Sequence, residues 1–191
     1  DVGFYIQGNY RTKNGWGFTL GARLDYNQIR KSGGLGYQLS PRLVVDYTKK
    51  DWLFKGIISK GIENVSNFTK FDEMNILPNP DLKSESIYNY EISVTKKISD
   101  EFSANIDLYY SNIKDVVSPI FANHTFQNRN VGEFNIKGVQ SGINYRGINK
   151  KWLASVNYAY TDPEATEIDS AGNNTGRIVN VSDISVHKIN A

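Results

Sequence analysis

The 191-residue chain lacks cysteine, a strong net charge and any long apolar run. Without cysteine it can form no disulfide, no thiolate metal site and no cysteine nucleophile. Its net charge of +2 is too small to indicate a nucleic-acid partner. A helical membrane protein is excluded, because no segment approaches the roughly 18 consecutive apolar residues of a membrane helix. A membrane β-barrel is not excluded, since only alternate residues of its strands meet lipid and the mean hydropathy of −0.47 hides them.

Aromatic residues, by contrast, are abundant at 13%, and they occur in alternating segments. Residues 16–27, 102–111 and 152–160 place apolar side chains on one parity and polar side chains on the other. This is the period of a β-strand and not of a helix. The same alternation, less regular, occurs in residues 2–11, 37–49, 52–62 and 86–97.

Two further segments complete the prediction. The alternation changes phase within residues 134–147, near Gly138, which predicts a β-bulge at that point. Residues 178–190 begin one more alternating segment. We therefore predict an all-β protein, an antiparallel up-and-down meander of about nine long strands with no helix.

The strands have the dimensions of membrane-spanning strands, since several run to about 10 residues. Trp16 and Tyr26 lie ten residues apart on one parity, and Tyr37 and Tyr47 repeat the interval. At about 3.3 Å per residue and a tilt near 45°, this interval projects to about 23 Å. An outer-membrane barrel has an apolar band of about 25 Å between two aromatic girdles, so the meander is predicted to be part of a larger transmembrane β-barrel.

Short and long connections alternate along the chain. The short polar turns are residues 12–15, 49–51, 98–100 and 147–150, and the longer loops are residues 28–36, 63–83, 112–126 and 161–176. In a meander every second connection lies on the same side, so the turns face one compartment and the loops face the other. This asymmetry is typical of barrels in the bacterial outer membrane, whose lipid we expect around the sheet.

Four segments resemble TonB-dependent outer-membrane receptors, in the order in which that family carries them. They are "LSPRLVVDY" (39–47), "NPDLKSES" (79–86), "FQNRNVGEFNIKGVQSGINY" (126–145) and "VNVSDISVHKIN" (179–190). Ser84 stands where proline is commoner in the family, Gln140 replaces a glutamate, and the last segment lacks the usual prolines.

The resemblance implies a barrel of about 22 strands closed around a plug. It also implies active uptake of a scarce ligand, energised by a TonB-type protein through the plug. The ligand would be a small molecule or metal chelate: a ferric siderophore first of all, with haem, cobalamin or a glycan as alternatives. Residues 1–191 would then be part of the barrel domain, with the plug, the signal peptide and the final strands outside this sequence.

The segment from Asn79 to Ser86 would connect a long loop to a strand in one register. Pro80 biases Asn79 towards extended backbone, and Asp81 can close an Asx turn. Register matters here because a slip of one residue would move Asn89 and Glu91 to the lipid face of the strand.

The sequence predicts no enzyme, no catalytic residue, no cofactor and no metal site. His124 and His187 are the only histidines and lie far apart, so a metal site would need carboxylates from distant loops. Asp72 and Glu73 could suit a cation, or they could simply be solvated.

Ligand recognition is expected on loop residues, because scaffolds place recognition on loops. The candidates are Asn67, Phe68, Phe71, His124 and Phe126. A second group of charged residues falls on the polar parity of the strands and is expected to face the aqueous lumen: Arg23, Asp25, Arg42, Asp46, Glu91 and Asp107. These charges could pair across neighbouring strands within the wall, or they could contact a ligand or plug.

Two other classes of protein stay open on the sequence. One is a small self-contained outer-membrane barrel with a structural or adhesive role. The other is a soluble β-sandwich that acts as a binding module. The sandwich predicts a two-layer core that buries one apolar set, namely Phe18, Leu20, Leu24, Ile106 and Val156.

Overall fold

The computed structural model describes residues 2–28, 35–71, 76–122, 125–147, 151–182 and 184–191. These residues form thirteen strands and one short helix. The elements are β1 (Val2–Arg11), β2 (Trp16–Asn27), β3 (Gly36–Lys49), β4 (Trp52–Glu63), α1 (Asn67–Phe71), β5 (Ile76–Leu77), β6 (Glu85–Lys97), β7 (Phe102–Lys114), β8 (Val117–Ala122), β9 (Thr125–Asn130), β10 (Glu133–Arg146), β11 (Leu153–Ile168), β12 (Asn174–Asn180) and β13 (His187–Asn190).

One antiparallel sheet holds most of these strands, in the order β1-β2-β3-β4-β6-β7-β10-β11-β12. β13 pairs with the first half of β11, below β12, so β12 and β13 together occupy the last position of the sheet. A second, small sheet has the order β5-β9-β8. The predicted all-β meander of long strands is confirmed. Of the helices in the described residues, none has the length and apolar character to cross a membrane.

The predicted loops differ from the structure in three places. Residues 161–176 were expected to be a loop, but β11 continues to Ile168 and β12 returns from Asn174 as a hairpin. The expected loop 112–126 contains the end of β7 and the strand β8. The helix α1, which the alternation did not predict, lies in the long loop between β4 and β6.

The apolar parity of every long strand lies on one face of the main sheet, here called the outer face; the opposite face is the inner face. Leu20, for example, pairs with Leu43 of β3, and Ile106 pairs with Val94 of β6. The residues that a sandwich would bury are exposed on this face: Phe18 at 39%, Leu20 at 65%, Leu24 at 41%, Ile106 at 47% and Val156 at 55%. A single layer with its apolar side uncovered is incompatible with a two-layer core.

Aromatic pairs border the outer apolar band at both ends. At the end with the short turns, ring centroids are 4.6 Å apart for Trp16 and Tyr47 and 4.8 Å for Phe102 and Tyr145. At the end with the long loops, they are 4.7 Å apart for Tyr26 and Tyr37 and 6.1 Å for Tyr90 and Tyr110. Tyrosine and tryptophan rings of this kind mark the two interfaces of a lipid-embedded barrel.

The predicted β-bulge at Gly138 is wrong. β10 pairs without a register shift with both β7 and β11. The change of phase instead reflects a change of surroundings, because beyond Tyr110 the outer positions are polar, as at Asn112, and the inner ones are apolar, as at Ile113 and Phe134. A straight strand that leaves the apolar band exchanges the polarity of its faces, and the sequence pattern cannot distinguish this from a bulge.

Gly138 has a different role in the sheet. A Cβ at this position would lie 2.5 Å from the hydroxyl of Tyr109 and 2.3 Å from the carbonyl oxygen of Tyr160. The glycine therefore leaves the space through which the Tyr109 hydroxyl reaches Thr161 Oγ1, 2.8 Å away.

A charge on the outer face should destabilise the protein far more than the same charge on the inner face. Ile106→Lys would place an ammonium in the middle of the apolar band and should lower the free energy of unfolding by about 2–4 kcal/mol. Asn105→Lys is the matched control, because it puts the same group next to Asp107 on the inner face. Urea unfolding of the protein in lipid vesicles measures both, and equal losses would contradict this assignment of the faces.

Candidate functional site

The two longest loops fold together into one unit at one end of the wall. This unit, here called the loop body, comprises residues 64–71 and 76–84 of the β4–β6 loop and residues 115–122 and 125–132 of the β7–β10 loop. β5 of the first loop pairs in parallel with β9 of the second, with Ile76 opposite Phe126. β9 pairs in turn with β8, which completes the small sheet.

The Asn-Pro-Asp-Leu motif connects the two loops. Asp81 N–H donates to Asn79 Oδ1 at 3.2 Å, so the Asx turn is formed by Asn79 and not, as predicted, by Asp81. Asn79 Nδ2 donates to the carbonyl oxygen of Asn128 at 2.8 Å, and Asn128 Nδ2 donates to that of Thr69 at 2.9 Å. Leu82, which is 2% exposed, lies at the centre of this body. The motif therefore does more than fix the register of β6, because it joins the first loop to the second.

Asn130 forms the second connection between the loops. Its Oδ1 accepts from Lys83 N–H at 2.8 Å, and its Nδ2 donates to the carbonyl oxygens of Lys83 at 2.9 Å and Asp115 at 2.7 Å. One amide thus satisfies three backbone groups that belong to no strand ladder. A further hydrogen bond connects β6 to the second loop, since Glu85 Oε1 accepts from Val117 N–H at 2.7 Å.

Lys70 fastens α1 to the motif. Its side chain is buried, and its Nζ donates to the carbonyl oxygen of Pro80 at 3.0 Å. Burial lowers the pKa of Lys70 below its ordinary value of 10.5, and the charge of Asp81 partly offsets this effect. At the other end of the helix, Thr69 N–H donates to Ser66 Oγ at 3.0 Å, as in an N-cap.

The hairpin between β11 and β12 packs against the same body. Asp169 Oδ1 accepts from the N–H groups of Ala171 at 2.9 Å and Asn173 at 2.8 Å. Gly172, with φ of +84°, brings the turn so close to Ile120 that a Cβ would lie 3.1 Å from Ile120 Cγ1. Bonds to Asn173 and its neighbours stabilise the carboxylate and lower the pKa of Asp169 below 3.8.

Four of the five predicted loop residues fall within the described part of the chain. Asn67 is exposed, Phe68 is 70% exposed, Phe71 is half-buried and Phe126 is 46% exposed. His124 lies outside the described residues, as do Asp72 and Glu73. Among the residues that the structure does describe, no three histidine or carboxylate side chains gather as metal ligands would.

Phe121 is the aromatic residue that the sequence analysis missed. It lies opposite Phe126 in the β8–β9 hairpin, with ring centroids 5.2 Å apart in an edge-to-face contact, and it is 56% exposed. In the sequence, the two phenylalanines lie at equal distances from residues 123–124. Because residues equidistant from the middle of a hairpin face each other, this spacing could have predicted their contact.

The charged residues predicted to face a lumen share the inner face, as the strand register shows. Three of them form ion pairs: Asp46 with Arg11 at 3.0 Å, and Asp25 with Arg23 at 2.8 Å. The first pair reaches across β2, where Gly17 leaves room; a Cβ there would lie 2.3 Å from Asp46 Oδ1. Arg11 was not among the predicted residues.

The other three charges lie together. Arg42, Glu91 and Asp107 line one polar hollow of about 430 Å³ on the inner face, together with Tyr109 and Gln140. The hollow is open and contains charges of both signs, so it can contact a polar surface or ligand.

The fold and the arrangement of its surfaces define a class of protein. A meander of long antiparallel strands, with an apolar outer face between aromatic girdles and long loops at one end, is the wall of a transmembrane β-barrel. The family model for the TonB dependent receptor-like β-barrel matches residues 1–189, and the chain belongs to this family. Proteins of this family are transporters in the outer membrane and not enzymes, which confirms the prediction of a non-enzymatic protein.

Solved structures of similar fold include one iron transporter and two siderophore receptors. The iron transporter FrpB of Neisseria meningitidis has a TM-score of 0.66 at 21% identity, over 85% of this chain and 26% of that protein. The siderophore receptors PirA of Pseudomonas aeruginosa and of Acinetobacter baumannii each have a TM-score of 0.68 at 17% identity. The matches cover 86% and 98% of this chain and 33% and 30% of the two receptors. The chain thus spans a quarter to a third of these structures, and a search of curated proteins gave no significant match.

Truncation of Asn130 should loosen the loop body without affecting the wall. Asn130→Ala leaves three backbone groups without their partner, at a cost of about 1–3 kcal/mol in local stability. Hydrogen–deuterium exchange of the Lys83 and Val131 amides should become faster, while that of β2 amides stays unchanged. Asn67→Ala, which truncates an exposed asparagine of the same loop body, is the control; unchanged exchange in Asn130→Ala would contradict the proposed connection.

The β11–β12 turn should weaken in acid. Because native hydrogen bonds favour the carboxylate, the pKa of Asp169 is lower in the folded than in the unfolded chain. The stabilisation is therefore complete above the ordinary pKa of 3.8 and is lost as pH falls below it. A titration of the Asp169 carboxyl ¹³C shift by NMR checks this, with Asp169→Asn as the control that cannot titrate. A midpoint at or above the ordinary value would contradict it.

Proposed function

We propose that the protein acts in the bacterial outer membrane as a receptor for the active import of a scarce small ligand, in the first place a ferric siderophore. The observation that carries this proposal is the joined loop body, which presents exposed aromatic rings at the mouth of a transmembrane wall. Family membership supports transport, and the names of FrpB and PirA support iron as the cargo. Haem, cobalamin or a glycan would be imported by the same route.

The outer face supports the location in lipid. Its apolar band is bordered by aromatic pairs at both ends. Polar residues begin at the level of the pairs at the long-loop end, as with Lys137, which is opposite Tyr110 and lies 2.8 Å from Glu164 and 3.3 Å from Asp162. Outward-facing ion pairs of this kind need water or polar headgroups around them.

Ligand capture is assigned to Phe68, Phe121 and Phe126. These rings are among the most exposed on the loop body, and exposed aromatic rings supply large contact area at low entropic cost. Asn67 and Phe71 stand beside Phe68 on α1 and would complete the contact surface. His124, which lies outside the described residues, stays a candidate from the sequence alone.

Energy for import would come from a TonB-type protein that acts through a plug domain. The inner face supports this partner, because the hollow at Arg42, Glu91 and Asp107 offers both signs of charge to a polar surface inside the barrel. Arg23, Asp25 and Asp46 would face the same lumen. Asp46 joins β3 to β1 through its ion pair with Arg11, whereas Arg23 and Asp25 pair within β2.

Uptake should depend on both the aromatic pair and TonB. Cells that carry the full gene are given ⁵⁵Fe bound to a trihydroxamate or a tricatecholate siderophore under iron limitation. The double variant Phe121→Ala with Phe126→Ala should raise the half-saturating concentration about tenfold, as expected for the loss of aromatic contacts. Phe4→Ala with Phe18→Ala, which truncates two outer-face phenylalanines, is the matched control.

The outcomes separate the alternatives. Loss of uptake in a strain without TonB supports active transport, and TonB-independent uptake contradicts it. If neither siderophore is taken up, trihydroxamate and tricatecholate chelates are ruled out as the ligand, and labelled haem and cobalamin are tested in the same strains. Equal uptake by the aromatic variant and its control would remove Phe121 and Phe126 from the binding site.

A further inference from the structure

A second concave surface lies between the wall and the loop body, on the side of the β8–β9 hairpin opposite to Phe121 and Phe126. It is a cleft of about 330 Å³. Its wall side is formed by Ile113, Phe134, Ala165 and Ile168, and its loop side by Val116 and Val131. Ile113, Phe134 and Ala165 fall on the inner face of the sheet, where the period of the strands predicts polar side chains.

The cleft is apolar because of its position along the strands. Beyond the aromatic pairs at the long-loop end of the sheet, the inner face becomes apolar, and the loop body covers part of that face. Gly132, with φ of +69°, brings the chain close to β11, where a Cβ would lie 3.4 Å from the carbonyl oxygen of Thr166. The cleft is thus bounded by strands of the main sheet, partly covered by the loop body, and open on one side.

The charged residues of the cleft are acidic. Glu85 and Glu133 line it, and the described part of the chain contributes no lysine, arginine or histidine to its lining. Glu133 lies 3.6 Å from Lys114 and is partly neutralised. Glu85 has one carboxylate oxygen bound to the N–H of Val117 at 2.7 Å, and it has no ion-pair partner among the described residues, so its charge can act on a ligand.

We propose that this cleft binds the apolar ring or acyl arm of a ligand that is neutral or positively charged. The shape and lining favour an apolar group, and the unneutralised acid at the rim repels an anion and attracts a cation. The identification of this ligand as the imported one rests on the proposed function. Within that function, it selects neutral or cationic chelates with an apolar arm over polyanionic ones.

Binding is measured with three probes that share one ring system and differ in charge. They are 2-naphthylmethylammonium, 2-naphthalenemethanol and 2-naphthoate. The full protein is held in amphipol, which avoids partition of the probes into detergent micelles, and affinity is obtained by calorimetry. We expect the cation and the alcohol to bind and the carboxylate to bind at least about tenfold more weakly than the cation.

A filling variant tests the location. Ala165→Phe places a ring in the cleft and should reduce the affinity for the neutral and cationic probes about tenfold. Ala159→Phe is the matched control, since it makes the same change on the same strand and face outside the cleft. Equal affinities for the two variants would overturn the assignment of the site.

A conservative variant tests the charge. Glu85→Gln keeps an oxygen that can accept from Val117 N–H but removes the negative charge. The preference for the cation over the carboxylate should fall several-fold, while the affinity for the alcohol stays the same. An unchanged preference, or a carboxylate that binds most tightly to the unmodified protein, would overturn the charge selection.

The test is independent of transport. Probe binding needs neither TonB nor an energised membrane, so a failure of uptake leaves this result standing. Conversely, a protein that imports a siderophore yet binds none of the probes would refute the cleft while supporting the proposed function.

Discussion

The structure depends on one constraint, which is that the long strands of the main sheet keep their apolar parity on the outer face between the two sets of aromatic pairs. A sheet in lipid must satisfy its backbone polar groups through strand pairing, and its side chains must present hydrocarbon to hydrocarbon. The pairing of neighbouring strands from β1 to β11 meets both demands, because it places apolar residues of adjacent strands side by side on the outer face. The low proportion of buried apolar residues in the wall follows, since lipid takes the place of a core.

The loop body has the opposite design. In the described part of the chain, the buried aliphatic residues are Leu82, Ile120 and Val131. All three belong to the loop body. Its integrity depends on asparagine amides that reach backbone groups of a distant loop. A loop of about twenty residues is costly to order, and connections from one loop to the next distribute that cost over several segments.

The two sites proposed for the loop end differ in their chemistry. The aromatic pair Phe121–Phe126 is exposed to the surroundings and suits first contact with a ligand, whereas the cleft beside Phe134 lies deeper, against the wall. Both surfaces belong to the same hairpin, one on each face of it. A ligand that touches both would be held by opposite sides of a single small sheet, which makes the rigidity of that sheet a condition for recognition.

Much of this protein could be derived from the order of its residues. The period of two predicted the strands, their spacing of aromatics predicted the apolar band, and the alternation of short and long connections predicted which end carries the loops. These features are local, since the position of a side chain on a strand fixes the face on which it lies. The charged residues on the polar parity, such as Arg42 and Glu91, were placed on the inner face for the same reason.

Tertiary structure alone decided the rest. It showed that Gly138 is no bulge, that Asn79 and not Asp81 forms the Asx turn, and that β11 extends through the expected loop to Ile168. It also brought Phe121 to Phe126, Arg11 to Asp46 and Ile113 to Ala165. These contacts join residues that are far apart in the chain. Which part of a strand meets lipid and which part meets water also depends on the whole structure. A local period in the sequence contains neither kind of information.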